Sequence, residues 1–278
     1  MENRKRPAGE TAAIILSVIA AAALVIGGIV AAVILVVGTV LNVQTKLGLW
    51  AEDYKEYIYS SSDSYVSGSD FTVDSSVNKI NIDWIAGDIT VKTVEGGSFR
   101  VYESFEPDDP EDIMRHKTDG SSLKIKFRAS GLYYSEHKKD LTVEIPASAE
   151  IKSVIINTVS SDISFDGGSF GDISVNTVSG GVALSNIACR ELDIDGVSCD
   201  VSADFAVQPR DVDIKAVSGE VELKLPQEPE DVELESASGA IRVNGAQTRL
   251  KYESDSRAGE GDIEVDTVSG DITLETKS

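Results

Sequence analysis

Acidic side chains at a fixed place in a recurring motif are the residues of this chain best suited to chemistry. Asp88, Asp162, Asp200, Glu220 and Asp271 each stand two residues after a recurring small residue in a Val-Ser-Gly-like motif. If the motif repeats in space, these carboxylates stack near 5 Å apart and repel one another. A hard cation with oxygen ligands, Ca²⁺ above all, would relieve that repulsion. Ordinary turn chemistry is the competing reading, because Asp favours bends without any metal. Gly181 and Ala240 interrupt the row, and the glycine-rich nonapeptide calcium repeat is missing.

Paired carboxylates could also cleave glycosides, which requires two at a defined separation. Asp193/Asp213 and Glu233/Glu235 have the right type, but they fall on outward positions of alternating strands and read as a solvated face. His116 and His137 are the two histidines, and no GxSxG, HExxH or P-loop spacing occurs. No catalytic residue and no cofactor beyond calcium is assigned, and the chain reads as a non-enzyme. Tyr133, Tyr134, His137, Lys138 and Lys139 form a basic contact patch in otherwise acidic surroundings. Thr158, Thr177 and Thr267 make a ragged ladder that suits packing at a core edge.

The elements that would position these groups are visible as internal repeats. Marker serines Ser160, Ser179, Ser198, Ser218, Ser238 and Ser269 are spaced by 19, 19, 20, 20 and 31 residues. An earlier copy has Ala86 at the serine position, which makes seven. The residue after the marker is Gly87, Gly180, Gly219, Gly239 or Gly270 in five copies and Ser161 or Cys199 in two. Glycine enrichment there suggests a bend with positive φ. Apolar residues alternate with period two on both sides, as in Leu192-x-Ile194 and Val182-x-Leu184, which predicts short strands with one buried face. Two strands joined by a Ser-Gly bend, about every 20 residues, describe one coil of a parallel β-solenoid.

Residues 98–146 separate the first two copies and read as an inserted β-hairpin region. Residues 245–262 leave open a degenerate coil using Leu250 and Tyr252. Cys189 and Cys199 lie half a coil apart, so they are expected to face different turns.

Charge and the N-terminus set the location. The chain carries a net charge of −22, and residues 147–278 hold 10 Lys/Arg against 26 Asp/Glu. Such a surface repels nucleic acid. Between Glu10 and Lys46 no charged residue interrupts a run rich in Ala, Val, Ile and Leu. That run is long enough for a transmembrane helix, and too long for a cleaved signal peptide. Arg4, Lys5 and Arg6 put the N-terminus in the cytoplasm and the remainder outside. The expected plan is a tail and signal anchor over 1–45, a juxtamembrane tether over 46–70 and a β-solenoid domain over 71–278. Gly27 and Gly28 would allow two such helices to pack closely.

The segments Val77-Asn-Lys-Ile-Asn-Ile82, Ala86-Gly-Asp-Ile89, Leu141-Thr-Val-Glu-Ile-Pro146 and Asn157-Thr-Val-Ser160, followed by the serial Val-Ser-Gly copies, resemble the putative-adhesin family of bacterial cell-surface β-solenoids. The resemblance spans about residues 71–278. It implies a surface-exposed repeat domain, often behind one transmembrane helix, and brings no catalytic residues. The leading expectation is a non-catalytic surface scaffold or binding module whose partner is an envelope protein or glycan. A regulatory or sensor subunit of an envelope-stress or transport system is the alternative, and a carbohydrate-active enzyme comes third.

Overall fold

A computed structural model describes residues 65–278 apart from 75, 105–106, 129–137, 257–258 and 278. The expected transmembrane helix and the first part of the tether lie outside these residues. Among the described residues no helix is long and apolar enough to cross a membrane.

The described chain is all-β, because β-branched residues alternate with polar ones through most of it. Two cap strands come first, β1 (Val66–Ser67) and β2 (Asp70–Val73). Then follow β3 (Lys79–Ala86), β4 (Ile89–Val94), β5 (Phe99–Glu103), β6 (Arg115–Asp119), β7 (Ser122–Lys126) and β8 (Leu141–Pro146). The middle holds β9 (Ile151–Ser160), β10 (Ile163–Asp166), β11 (Ser169–Ser179), the long β12 (Val182–Ser198) and β13 (Val201–Phe205). The last third holds β14 (Asp211–Ser218), β15 (Val221–Leu225), β16 (Asp231–Val243), β17 (Ala246–Asp255), β18 (Asp262–Ser269) and β19 (Ile272–Thr276).

Two parallel ladders run side by side. Strands before the bend pair in the spatial order β7, β3, β9, β11, the second half of β12, β14, β18 and the first half of β16. Strands after the bend follow the order β8, β4, β10, the start of β12, β13, β15, β19 and the end of β16. The result is a solenoid-like stack of eight coils among the described residues, numbered here in spatial order. At a strand spacing near 4.8 Å the stack is about 34 Å long.

Spatial order is not chain order. The first coil in sequence, β3/β4, is second in space, clamped between β7/β8 and β9/β10. The last coil in sequence, β18/β19, is seventh in space, clamped between β14/β15 and β16. Antiparallel strands close both ends: β6 on β7 and β5 on β8 at one end, and β17 on β16 at the other. These caps cover ladder edges that would otherwise invite aggregation.

This order corrects two expectations. β7 and β8, read as an inserted hairpin, are themselves a coil, parallel to β3 and β4. Alternation shows which face of a strand is buried, not which strand lies beside it, so it could not separate the two cases. Residues 246–255 form an antiparallel cap strand rather than a degenerate coil, and their excursion explains the marker spacing of 31. Tyr252 packs against the core, whereas Leu250 is 53% exposed at φ 72°. At the other end, Val66–Ser67 pairs with β6, so strand structure begins within the stretch read as tether.

Between the ladders lies one continuous apolar core. Val154, Ile173, Leu192, Val212, Ile263 and Val232 make one row, and Ile163, Val182, Val201, Val221, Ile272 and Ile241 face it from beyond the bend, all buried. Ile194→Asp would bury a carboxylate among these residues and should cost several kcal/mol. Asp193→Ala, one residue away and exposed, should be neutral or slightly stabilising. Denaturant melts of the two variants check the register; equal losses would mean it has been misread.

Candidate binding surface

The bends place the acidic row. They come in two alternating forms. In coils 1, 3, 5 and 7 the bend reads Lys139-Asp140, Ser161-Asp162, Cys199-Asp200 and Gly270-Asp271. In coils 2, 4, 6 and 8 it reads Gly87-Asp88, Gly180-Gly181, Gly219-Glu220 and Gly239-Ala240. Each odd-coil Asp accepts a backbone N–H from the coil beyond it. Asp140 takes that of Asp88 at 3.0 Å, Asp162 that of Gly181 at 2.7 Å, Asp200 that of Glu220 and Asp271 that of Ala240 at 2.8 Å. These Asp side chains therefore satisfy backbone donors that the ladder leaves over.

Gly87, Gly180 and Gly219 have φ of 107°, 112° and 133°. A Cβ on any of them would fall 2.1 Å from the carbonyl oxygen of Lys139, Ser161 or Cys199. Gly239 and Gly270 do not share the positive φ expected of them, but a Cβ on either would lie 1.8 Å from a neighbouring carbonyl oxygen. The marker serines supply carbonyls to this stack: Gly87, Gly180 and Gly219 donate N–H groups to Ser160, Ser198 and Ser269, and Ser161 and Cys199 donate to Ser179 and Ser218. Ser238 lies exposed on the outermost bend.

Beside the bends, on the outer surface of the second ladder, runs a groove of about 470 Å³. Thr90, Ser164, Ala183 and Ser202 form its floor, with Asp88, Asp162, Asp200 and Glu220 along one lip and Glu222 near one end. Small hydroxyl and methyl groups recur there at the strand spacing. Such a surface can take an extended chain that brings hydrogen-bond donors or positive charge. Among the described residues, no three His, Cys, Asp or Glu side chains converge as metal ligands.

The outer surface of the first ladder is a carboxylate array. Asp193, Asp213, Glu264 and Glu233 share one row, and Asp195, Lys215, Asp266 and Glu235 the next. Lys215 pairs with Asp213, and Lys251 gathers Glu233, Glu235 and Glu253. Partial burial and then neighbouring carboxylates push Asp193 and Asp266 up to about 6. A carboxyl raised in the folded state stabilises below its unfolded value, and that stability is lost as pH rises through 6. His116, lowered by burial, acts oppositely: its contribution is present above the usual histidine value and falls away in acid. The carboxyls outnumber it. Lowering the pH from 7.5 to 5 should therefore raise Tm by about 2–5 °C, with allowance for solvent screening. The combined Asp193→Asn and Asp266→Asn changes should remove most of that rise, as thermal melts across pH would show.

Other residues expected at the surface fall differently. Tyr133, Tyr134 and His137 lie outside the described residues. Lys138 is exposed, but Lys139 is 1% exposed and belongs to the core rather than to a contact patch. It occupies the inward position of an odd-coil bend, where Ser161 and Cys199 stand in other coils. Its ammonium lies 2.5 Å from Glu103, donates to the carbonyls of Asp112 and Phe127, and sits over the Phe127 ring at 4.4 Å. The Trp84 indole donates to the Lys139 carbonyl. Burial pulls the Lys139 ammonium down, and Glu103 opposes that pull. Removing either partner would strand a buried charge.

That loop is also not the sole basic region, since Arg115, Lys117, Lys124 and Lys126 share the outer layer of β6 and β7. Cys189 and Cys199 are buried and unbridged, and burial pushes both thiols up to about 12. Thr158 and Thr177 are buried at the core edge, and Thr158 shares a 2.6 Å hydrogen bond with Ser161.

Residues 52–275 match the family described as Toastrack DUF4097. The chain belongs to that family. Solved structures similar to this Toastrack chain include a putative cell adhesion protein from Clostridium sporogenes, 16% identical over 75% of this chain and 99% of the other, with a TM-score of 0.41. A putative adhesin from Bacteroides fragilis is 14% identical over 76% of this chain and 98% of the other, with a TM-score of 0.42. No curated protein matches the Toastrack chain significantly.

Proposed function

We propose that the protein is a non-catalytic binding module of the cell surface, anchored by an N-terminal transmembrane helix and carrying its solenoid outside the membrane. The observation that carries this reading is the groove over Thr90, Ser164, Ala183 and Ser202. It is open, extended and periodic, which fits an extended envelope polymer, a glycan or a protein segment, better than a small substrate. The anchored reading comes from the apolar run between Glu10 and Lys46 and from the basic cluster before it.

Two changes to cells expressing the full chain test it. Ser164→Arg with Ser202→Arg fills the groove and should abolish retention of purified envelope material at the cell surface while leaving the protein's surface level unchanged. Replacing residues 1–45 with an unrelated single-span anchor should leave retention intact. Retention unaffected by the filled groove would refute the site. Retention lost on swapping the span would favour a regulator that signals through its own helix.

A further inference from the structure

We propose that the outer layer of β6 and β7 is a cationic patch that rests on anionic lipid headgroups and seats the base of the rod on the bilayer; this rests on the anchored reading above. In a chain of net charge −22, Arg115 stands directly opposite Lys126, and Lys117 directly opposite Lys124. Lys79 of β3 joins the same layer beside Ser122. Like charges facing each other destabilise a sheet, and no core packing calls for lysine at outward positions. Two acids share the block. Asp119 lies 3.9 Å from Lys124. Asp83 accepts a hydrogen bond from Asn157, and burial pushes its carboxyl up. Arg115 turns its guanidinium to the Pro110 carbonyl at 3.0 Å, so the patch presents Lys79, Lys117, Lys124 and Lys126 against two acids.

The chain enters the described domain on this block. Tyr65 lies over the Lys126 ammonium at 5.0 Å, and β1 pairs with β6. Residues 46–64 separate the apolar run from Tyr65 and can span at most about 65 Å. The patch is thereby held near the membrane at high effective concentration.

Range decides whether the acidic rest of the rod cancels this attraction. The field of an anionic leaflet fades over a Debye length of about 8 Å. Asp193 and its row begin four strands beyond β7, about 19 Å away. They lie outside that field, and of the nearer acids Asp140 and Asp88 of coils 1 and 2 oppose the attraction from the bend. Asp108, Asp109 and Glu111 cross the end of the rod between β5 and β6, so an end-on stance is disfavoured. The geometry instead tilts the rod onto the β6–β7 edge of one face.

The test uses the full chain in vesicles of phosphatidylcholine alone or with one third phosphatidylglycerol. A dye is placed at exposed Thr118 as Thr118→Cys; the two native cysteines are buried. Energy transfer to headgroup-labelled lipid should be clearly higher with phosphatidylglycerol, and about 0.5 M NaCl should return it to the phosphatidylcholine level. Lys117→Glu with Lys124→Glu should abolish the difference, and the milder Lys117→Gln with Lys124→Gln should reduce it. Equal transfer in both lipids, or a difference indifferent to salt and to both double variants, overturns the patch. So does salt-sensitive capture of an anionic wall polymer with no dependence on lipid charge.

Flotation reads the anchor separately. A chain that floats with both lipids is anchored. One that floats only with phosphatidylglycerol, and not when charge-reversed, keeps the patch and refutes the anchor. One that floats with neither refutes both.

Discussion

Removal of residues 262–278 is expected to unfold the domain rather than shorten it by one coil. In a repeat stack laid down in chain order, losing the last coil exposes one interface and leaves the rest standing. Here the last coil is clamped on both sides, β18 between β14 and β16 and β19 between β15 and β16. Its inward residues Ile263, Val265, Ile272 and Leu274 are each at most 2% exposed. Fully burying four such side chains contributes roughly 6–12 kcal/mol, comparable with the whole stability of a typical domain. Deletion also strips a partner from both neighbours and leaves a slot between the sixth coil and the capped last one. A chain ending at residue 261 should lose its β-sheet circular dichroism and be digested rapidly by protease. A truncated chain that melts within a few degrees of the parent would mean that β14 and β16 close up on each other, and the clamped order would be wrong.

Much of this architecture was legible in the repeats. The Ser-Gly markers and period-two alternation located seven of the eight coils, and alternation assigned Ile194 inward and Asp193 outward. The remaining coil escaped because Lys139-Asp140 stands where a Ser-Gly bend was expected. Nothing local marks Lys139 as buried, since lysine is almost never found inside without a partner. Its partner Glu103 is supplied by a cap strand far away in sequence. The stacking order was illegible for a related reason: every coil presents nearly the same apolar face, so any two could pair, and the choice rests with connecting segments. The groove was visible in part, through Asp88, Asp162, Asp200 and Glu220. Its floor of Thr90, Ser164, Ala183 and Ser202 carries no chemical signal of its own. The alternation of bends was written more openly, because Asp recurs without exception at 140, 162, 200 and 271, whereas even coils carry Asp, Gly, Glu or Ala.

That alternation makes Gly219→Val one of the most damaging single substitutions expected at a bend. Valine at φ 133° is a steric outlier, and its Cβ would lie 2.1 Å from the Cys199 carbonyl oxygen. That oxygen belongs to backbone held in the stack, so it cannot swing away as a side chain would. Strain and overpacking together should cost roughly 3–5 kcal/mol, which lowers Tm by about 10 °C or more in a domain of this size. The odd-coil partner responds differently. A positive φ throughout this bend position would let Cys199→Gly relieve the backbone, but Cys199 is not among the residues with positive φ. Its side chain is buried beside Gly196, where a Cβ would fall 2.5 Å from the Cys199 Cβ. Cys199→Gly should therefore open a gap and destabilise by about 1 kcal/mol. Ser161→Gly should do likewise, because it also loses the hydrogen bond to Thr158. Asp200→Ala removes the acceptor for the Glu220 N–H and should cost about 1 kcal/mol, while Glu220→Ala should be nearly silent. Thermal melts of the five variants form one test. If Gly219→Val melts with the parent, or if Asp200→Ala and Glu220→Ala behave alike, the bends do not alternate in the way the hydrogen bonds imply.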